Sequence, residues 1–194
     1  MIIIWVIPNE LAISRMPTRR EDLRLIRAAG CRAVVCLATE RELAPFWGGI
    51  LSYENAVISE GMDLYFLPVE PGDAPDLREM LDLLSWISSR ATRGRPVAVH
   101  CFAGVGRAGT VAAAYLIFTR GMTPQAALDY VRRIRPNAVE SQRQEESLMR
   151  LSSTINLLLS GEIPIRAILE PIETKRPGGL RRLLSLLRGR RAQP

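Results

Sequence analysis

The segment His100-Cys101-Phe102-Ala103-Gly104-Val105-Gly106-Arg107 sets a cysteine and an arginine six residues apart around two glycines. It follows the apolar run from Val97 and leads into Thr110 to Phe118, an apolar stretch of high helix propensity. In such a strand–loop–helix turn, consecutive backbone N–H groups and the helix N-terminus form a concave anion site, and glycines let the backbone come close. An arginine closing the loop adds a planar fork that can bind two phosphate oxygens. A cysteine at the base of the ring sits in the same positive field, which favours the thiolate. A thiolate beneath a bound phosphate is an in-line nucleophile. In an arginine-rich chain the Cys-x5-Arg spacing is weak on its own. The histidine before it, the glycines, the strand and the helix make it specific.

Other chemistries fit less well. Gly104-x-Gly106-x-x-Gly109 matches a dinucleotide fingerprint, with Asp129 standing 20 residues beyond Gly109. That fold needs its acid at the end of a second strand, whereas Asp129 falls in a helical stretch and no strand follows Gly109, so a dinucleotide-binding protein is a remote alternative. No Gly-Lys-Ser/Thr run is present for a Walker loop. One histidine and three cysteines, Cys31, Cys36 and Cys101, give neither a His-rich zinc site nor a paired disulfide framework. Reduced thiols are expected, with Cys31 and Cys36 in the core, and no metal or other cofactor is implied.

The elements that must position the loop follow from the pattern of apolar residues. Strands are expected at Ile2–Ile7, in an extended segment from Glu10 to Met16, at Ala33–Leu37 and Asp63–Leu67 as buried strands, and at Val97–His100. Thr18 and Glu21 have capping-box spacing before a helix over about residues 19–29. Residues 40–60 carry helical spacing broken at Gly48-Gly49, and Asp76 can cap a helix with Leu77, Met80, Leu81, Leu84 and Ile87 on one face. Thr123-Pro124 opens a helix to about Arg133, and Ser141 caps a last helix with apolar positions from Leu148 to Leu159. The alternation predicts an α/β fold with a mostly parallel central sheet flanked by helices, the phosphate-type loop lying between a strand and a helix.

On these residues the chain resembles the protein tyrosine phosphatase superfamily. From Trp5 to about Leu159 it is similar to compact archaeal-type members close to the dual-specificity branch. The resemblance implies hydrolysis of phosphomonoesters without metal, in two steps through a phosphocysteine. Carried over by position, Cys101 is the nucleophile and Arg107 the phosphate clamp. Phe102, Ala103, Gly104, Val105 and Gly106 supply the rest of the phosphate-binding loop, and His100 supports it. Gln144, with Gln142 as second choice, matches the glutamine that the family places near the attacking water. The chain departs from the pattern twice. Ala108 stands where a Ser or Thr hydroxyl usually helps the thiolate leave, and Pro71 stands where the proton-donating Asp is expected, with Glu70 and Asp73 flanking it. Asp73 is the first choice for the acid and Glu70 the second.

Charge divides the chain. Lys175 to Pro194 holds seven of the 26 basic residues and no acidic one, so residues 1–174 carry 19 basic against 20 acidic side chains. The pI of 9.9 is therefore a property of the tail, and a nucleic-acid-binding body is not indicated. Residues 1–160 form the expected phosphatase domain. Residues 161–194 form a basic tail, partly packed through leucines such as Leu183 and Leu187 or disordered, and suited to an anionic surface. No apolar run reaches the roughly 20 residues needed to span a bilayer, and the N-terminus reads as a first strand, so a cytoplasmic location is expected. The expected partner is a phosphoprotein or phosphopeptide, phosphotyrosine favoured and phosphoserine or phosphothreonine also allowed. The alternative is a module that binds phosphate esters with weak turnover.

Overall fold

The computed structural model describes residues 1–162; all but the first two residues of the expected basic tail, 161–194, lie outside them. Five strands form one sheet: β1 (Ile3–Ile7), β2 (Leu11–Arg15), β3 (Ala33–Cys36), β4 (Asp63–Phe66) and β5 (Val97–Cys101), in the order β1-β2-β5-β3-β4. β1 and β2 form an antiparallel hairpin, and every other pairing is parallel. The mixed α/β fold with a mostly parallel sheet is therefore present as expected.

Alternate residues of the strands face two separate cores. On one side Leu11, Ile13, Val35, Val97 and Val99 pack against α4 (Leu77–Ala91), α5 (Gly106–Arg120), α6 (Pro124–Ile134) and α7 (Gln142–Ser160). On the other, Ala12, Val34, Cys36 and Ala98 pack against α1 (Arg20–Ala28), α2 (Glu40–Trp47) and α3 (Ile50–Ser59). This sandwich explains why β3 and β5 read as continuous apolar runs, since both of their faces are covered. Helix α5 is buried from Gly106 to Phe118, so it is apolar all round rather than amphipathic. Truncating one of its large side chains, such as Leu116, would cost about 2–5 kcal/mol.

Two local expectations change. Strand β4 is half-buried throughout, because it is the sheet's edge and pairs only with β3; Asp63 at its start is gripped by Arg90 at 2.9 Å and Arg95 at 3.0 Å. Helix α1 has no capping box. Its N-cap is Arg19, and Thr18 instead donates its N–H and hydroxyl to Asp22 Oδ2 at 3.0 and 3.1 Å. Capping boxes do form at Thr39/Glu42 and at Asp76/Glu79, fixing the starts of α2 and α4 just beyond β3 and β4. The start of α2 follows the carboxyl end of β3 by four residues, on the edge of the parallel strands where ligands bind in open α/β sheets.

Candidate active site

Cys101 is the last residue of the central strand β5 and is 2% exposed. The loop after it is tied to the rest of the protein through its carbonyls. Phe102 O accepts from Met16 N–H at 3.0 Å, and Arg135 donates to the carbonyls of Ala103 and Gly104, each at 3.0 Å. Carbonyls drawn outward turn the amide N–H edges inward, which builds an anion-binding concavity. Gly104 has φ +69, and a Cβ there would overlap the Ser14 carbonyl oxygen, so glycine alone fits. Helix α5 begins at Gly106, which adds the unsatisfied N–H groups of its first turn and its positive end.

Arg107, in the first turn of α5, is 5% exposed; protein oxygens fix one edge of its guanidinium, and the Cys101 thiol is its other neighbour. Nη1 donates to Glu42 Oε2 at 2.8 Å, to Val69 O at 2.7 Å and to Leu37 O at 3.3 Å, while Nη2 donates to Glu42 Oε1 at 2.7 Å. Glu42 thus takes the terminal edge of the fork. The Nε and outer Nη2 hydrogens form a second bidentate edge for an anion over Cys101. Burial would lower the Arg107 pKa, but the Glu42 carboxylate and the neighbouring Cys101 sulfur outweigh it and hold the guanidinium above its ordinary value. Burial would likewise raise the Glu42 pKa. Hydrogen bonds from Arg107 and Thr39 hold it below the ordinary carboxylate range. Glu42 serves twice, since Oε2 also accepts from Thr39 N–H at 2.8 Å to close the α2 capping box.

His100 is fully buried beneath the loop. Its Nε2 lies 2.6 Å from the Tyr53 hydroxyl on α3, and its Nδ1 lies 3.4 Å from Cys101 O. A carbonyl can only accept, so Nδ1 carries the hydrogen and Nε2 accepts from Tyr53. Desolvation pushes the His100 pKa down to about 4, so the ring is neutral at pH 7 and adds no charge beside the thiol. Burial also raises the pKa of Tyr53, keeping its hydroxyl a donor. Cys31 and Cys36 are buried thiols pushed up by desolvation to about 11 and about 12.

The remaining sequence candidates are spread around this centre. Gln144 is fully buried next to the loop: its Nε2 donates to Asp73 O at 3.1 Å, its Oε1 accepts from Glu140 N–H at 2.8 Å, and a Cβ on Gly106 would lie 3.1 Å from its Nε2. Gln142 bonds Glu146 on the outer face of α7. The carboxylates of Glu70 and Asp73 are held in surface ion pairs, with Arg41 at 3.1 Å and Arg143 at 2.8 Å. Ala108 is fully buried, and the nearest downstream hydroxyl, Thr110, donates back to Gly106 O at 2.8 Å within α5. Asp129 sits on α6 as the acceptor of Gln125, and among the described residues no strand follows β5, so the dinucleotide reading fails. Glu42, Tyr53 and Arg135 were missed by the sequence reading. Only Glu42 left a local trace, the Thr39-x-x-Glu42 capping signature directly after β3.

Comparison with known proteins agrees with this architecture. A family model described as "Swiss Army Knife protein, DSP-PTPase phosphatase domain" matches residues 2–148. Protein tyrosine phosphatase domain-containing protein 1 of Bos taurus is 29% identical over 151 residues, covering 72% of this chain but 19% of that protein. Phosphatidylglycerophosphate phosphatase PTPMT2 of Arabidopsis thaliana is 37% identical over 97 residues, 46% of this chain and 42% of that one. The chain thus spans about a fifth of the first of these relatives and under half of the second. Among solved structures, Tk-PTP in its active form superposes with a TM-score of 0.70 at 34% identity, covering 78% of this chain and 96% of the other. PTPMT1, at 22% identity and a TM-score of 0.70 over 82% of this chain and 99% of its own, shares the fold. With the match running through both halves of the sheet and across the Cys101–Arg107 loop, the chain belongs to the DSP-PTPase phosphatase domain family, within the protein tyrosine phosphatase superfamily and close to its dual-specificity branch.

Proposed function

We propose that the chain hydrolyses phosphomonoesters through a phosphocysteine on Cys101, with protein phosphotyrosine as the favoured substrate and phosphoserine or phosphothreonine as further ones. The observation that carries this reading is the half-used fork of Arg107. Its terminal edge is locked by Glu42 and two carbonyls, which leaves a preoriented bidentate edge beside a buried thiol. The phosphate oxygens bind that edge and the amides from Phe102 to Arg107, which places phosphorus in line with Cys101 Sγ. Sulfur attacks phosphorus, the ester oxygen leaves opposite, and water then attacks the phosphocysteine, breaking the P–S bond to release phosphate and return the electron pair to Cys101. His100, neutral and braced by Tyr53, holds the loop from below. Gln144, buried beside Gly106, is suited to orient the water.

A buried thiol favours a long, flat substrate arm such as phosphotyrosine, and Phe102, exposed at the rim, offers it an aromatic face. A thiol mechanism also needs a reducing compartment, which supports a cytoplasmic placement. The basic tail is assigned, on charge alone, to an anionic surface. Ala108 favours a second reading, a phosphate-ester binding module with weak turnover, because no hydroxyl stands at that position to ease thiolate departure.

Turnover of phosphotyrosine, phosphoserine and phosphothreonine peptides and of phosphatidylglycerophosphate in chelator tests both readings. Steady hydrolysis by the wild type, lost in Cys101→Ser with anion binding retained, supports the enzyme. Stoichiometric binding without turnover supports the module, and full activity in Cys101→Ser ends the thiol mechanism.

A further inference from the structure

A third carboxylate faces the phosphate-binding loop, and it is neither Asp73 nor Glu70. A Cβ built on Gly106 would overlap Glu140 Oε2, with Gln144 Nε2 beside it at 3.1 Å. The carboxyl group of Glu140 therefore lies against the amide ring, at the start of α5, next to the glutamine suited to hold water. Its residue is exposed, and among the described residues its carboxylate has no ion pair and no side-chain hydrogen bond; only its backbone N–H is engaged, with Gln144 Oε1. The carboxylates of Asp73, Glu70 and Glu42 are all held by arginines.

The segment that carries Glu140 is strained and pinned. Asn137 and Val139 both lie in the left-handed region, at φ 64 and φ 62, which is costly for a β-branched residue such as Val139. Arg132 holds the turn from beneath, donating Nε to Ala138 O and Nη2 to Val139 O at 3.0 Å each. Ala138 packs into the space left by Gly109, whose added Cβ would come within 2.9 Å of it. On the far side the Ser141 hydroxyl donates to Gly72 O at 2.6 Å. The chain is thus forced through an unfavourable turn that ends with Glu140 aimed at Gly106. Such strain persists where the surroundings over-determine it, and it clusters at functional sites.

We propose that Glu140 is the proton-transferring group of this site, in place of the Asp missing at Pro71; the inference rests on the phosphatase reading above. In the first step the Cys101 sulfur–phosphorus bond forms as the ester P–O bond breaks. The electron pair goes to the ester oxygen, and the protonated Glu140 carboxyl gives it a proton, leaving an alcohol or phenol and a Glu140 carboxylate. In the second step water, oriented by Gln144, attacks phosphorus and loses its proton to that carboxylate, while the P–S bond breaks and its electron pair returns to Cys101 as thiolate. One water is consumed, and Glu140 and Cys101 return to their starting states. A single carboxyl serves both steps because departing oxygen and attacking water occupy the same side of phosphorus, opposite sulfur.

The test uses the full chain. Glu140→Gln, Glu140→Asp and Glu140→Ala are compared with Asp73→Asn, Glu70→Gln and Cys101→Ser on a phosphotyrosine peptide and on p-nitrophenyl phosphate. Glu140→Gln should lower kcat on phosphotyrosine by about 10²–10³-fold, and by much less on the activated aryl ester, with KM nearly unchanged. Its kcat–pH profile on phosphotyrosine should lose the alkaline limb, where wild-type activity falls as the acid deprotonates; Glu140→Asp should keep part of the rate, and added formate should restore Glu140→Ala. Rates for Glu140→Gln within a few-fold of wild type, or no formate rescue together with an unchanged pH profile, overturn the assignment; if Cys101→Ser is inactive in the same experiment, the phosphatase reading stands without it. Turnover surviving in Cys101→Ser would remove the reading on which the inference depends.

Discussion

Replacing Glu42 by glutamine tests whether the Arg107 fork is set by its buried partner. The substitution keeps shape and one acceptor oxygen but turns two N–H donors toward a guanidinium that only donates. Two hydrogen bonds between opposite charges, at 2.7 and 2.8 Å, become at most one, to an uncharged acceptor. Removing one partner of a fully buried pair costs about 3–5 kcal/mol, because the other charge is left unpaired in low dielectric. Arg107 is 5% exposed, but Glu42 is 17% exposed and water can reach the new amide. The bonds from Arg107 to Val69 O and Leu37 O also remain, so about 2–3 kcal/mol is the expected loss in unfolding free energy. Urea unfolding at pH 7 measures it. The free fork should also lose its orientation, lowering kcat/KM on p-nitrophenyl phosphate by about 10- to 100-fold. The pH dependence has a definite sign. The folded-state pKa of Glu42 lies below its ordinary 4.5, so its contribution is fully present above that value and is lost as pH falls through the folded one. Glu42→Gln should remove that part of the acid sensitivity. A variant as stable as wild type, or a more active one, would refute the argument, the second by showing that Glu42 sequesters the arginine rather than presenting it.

Further outcomes follow from the same geometry. His100 is held neutral with a pKa lowered from 6.5 to about 4, so the unfolded chain binds the extra proton between those values; stability should fall by about 3 kcal/mol as pH drops from 7 to 4, in urea titrations, and Tyr53→Phe should lower stability without removing that slope. Iodoacetamide at pH 7 should label Cys101 before Cys31 or Cys36, whose pKa values of about 11 and 12 keep them protonated, and phosphate should slow that labelling; mass spectrometry of peptides reads the site. Ala108→Ser should raise the steady-state rate without enlarging the pre-steady-state burst; an unchanged rate would mean that departure of the thiolate does not limit turnover.

Much of this protein was legible locally. Periodicity and caps place most strands and helices within a residue or two, because a helix start such as Asp76–Glu79 or Thr123–Pro124 is decided by groups three residues apart; α5 instead starts at Gly106, inside the glycine-rich stretch and ahead of the apolar run from Thr110. The phosphate-binding loop was legible for the same reason: its glycines, thiol and guanidinium are contiguous, and Gly104 is required by the backbone path itself. Local signals also misled. Thr18 and Glu21 have the spacing of a capping box, yet the competing carboxylate of Asp22 takes both hydrogens of Thr18. The apolar look of Asp63–Leu67 gave no sign that β4 is an edge, since edge position depends on which strands pair.

What the chain's own order of residues determined is the chemistry available: a nucleophilic thiol, a bidentate cation and an amide ring in one turn between a strand and a helix. What only the tertiary structure decided is how that chemistry is aimed. Glu42 reaches Arg107 across 65 residues, Tyr53 reaches His100 across 47, and Arg135 reaches the loop carbonyls across 31 or 32. Glu140 comes to Gly106 through a turn no propensity favours, with Val139 at positive φ held by Arg132. Contacts at such separations leave no periodic trace, because each is a single side chain delivered by the packing of whole elements against the sheet. A carboxylate in sequence is only a charge, and its role is settled when the fold either pairs it with an arginine, as for Glu42, Glu70 and Asp73, or leaves it facing the loop, as for Glu140.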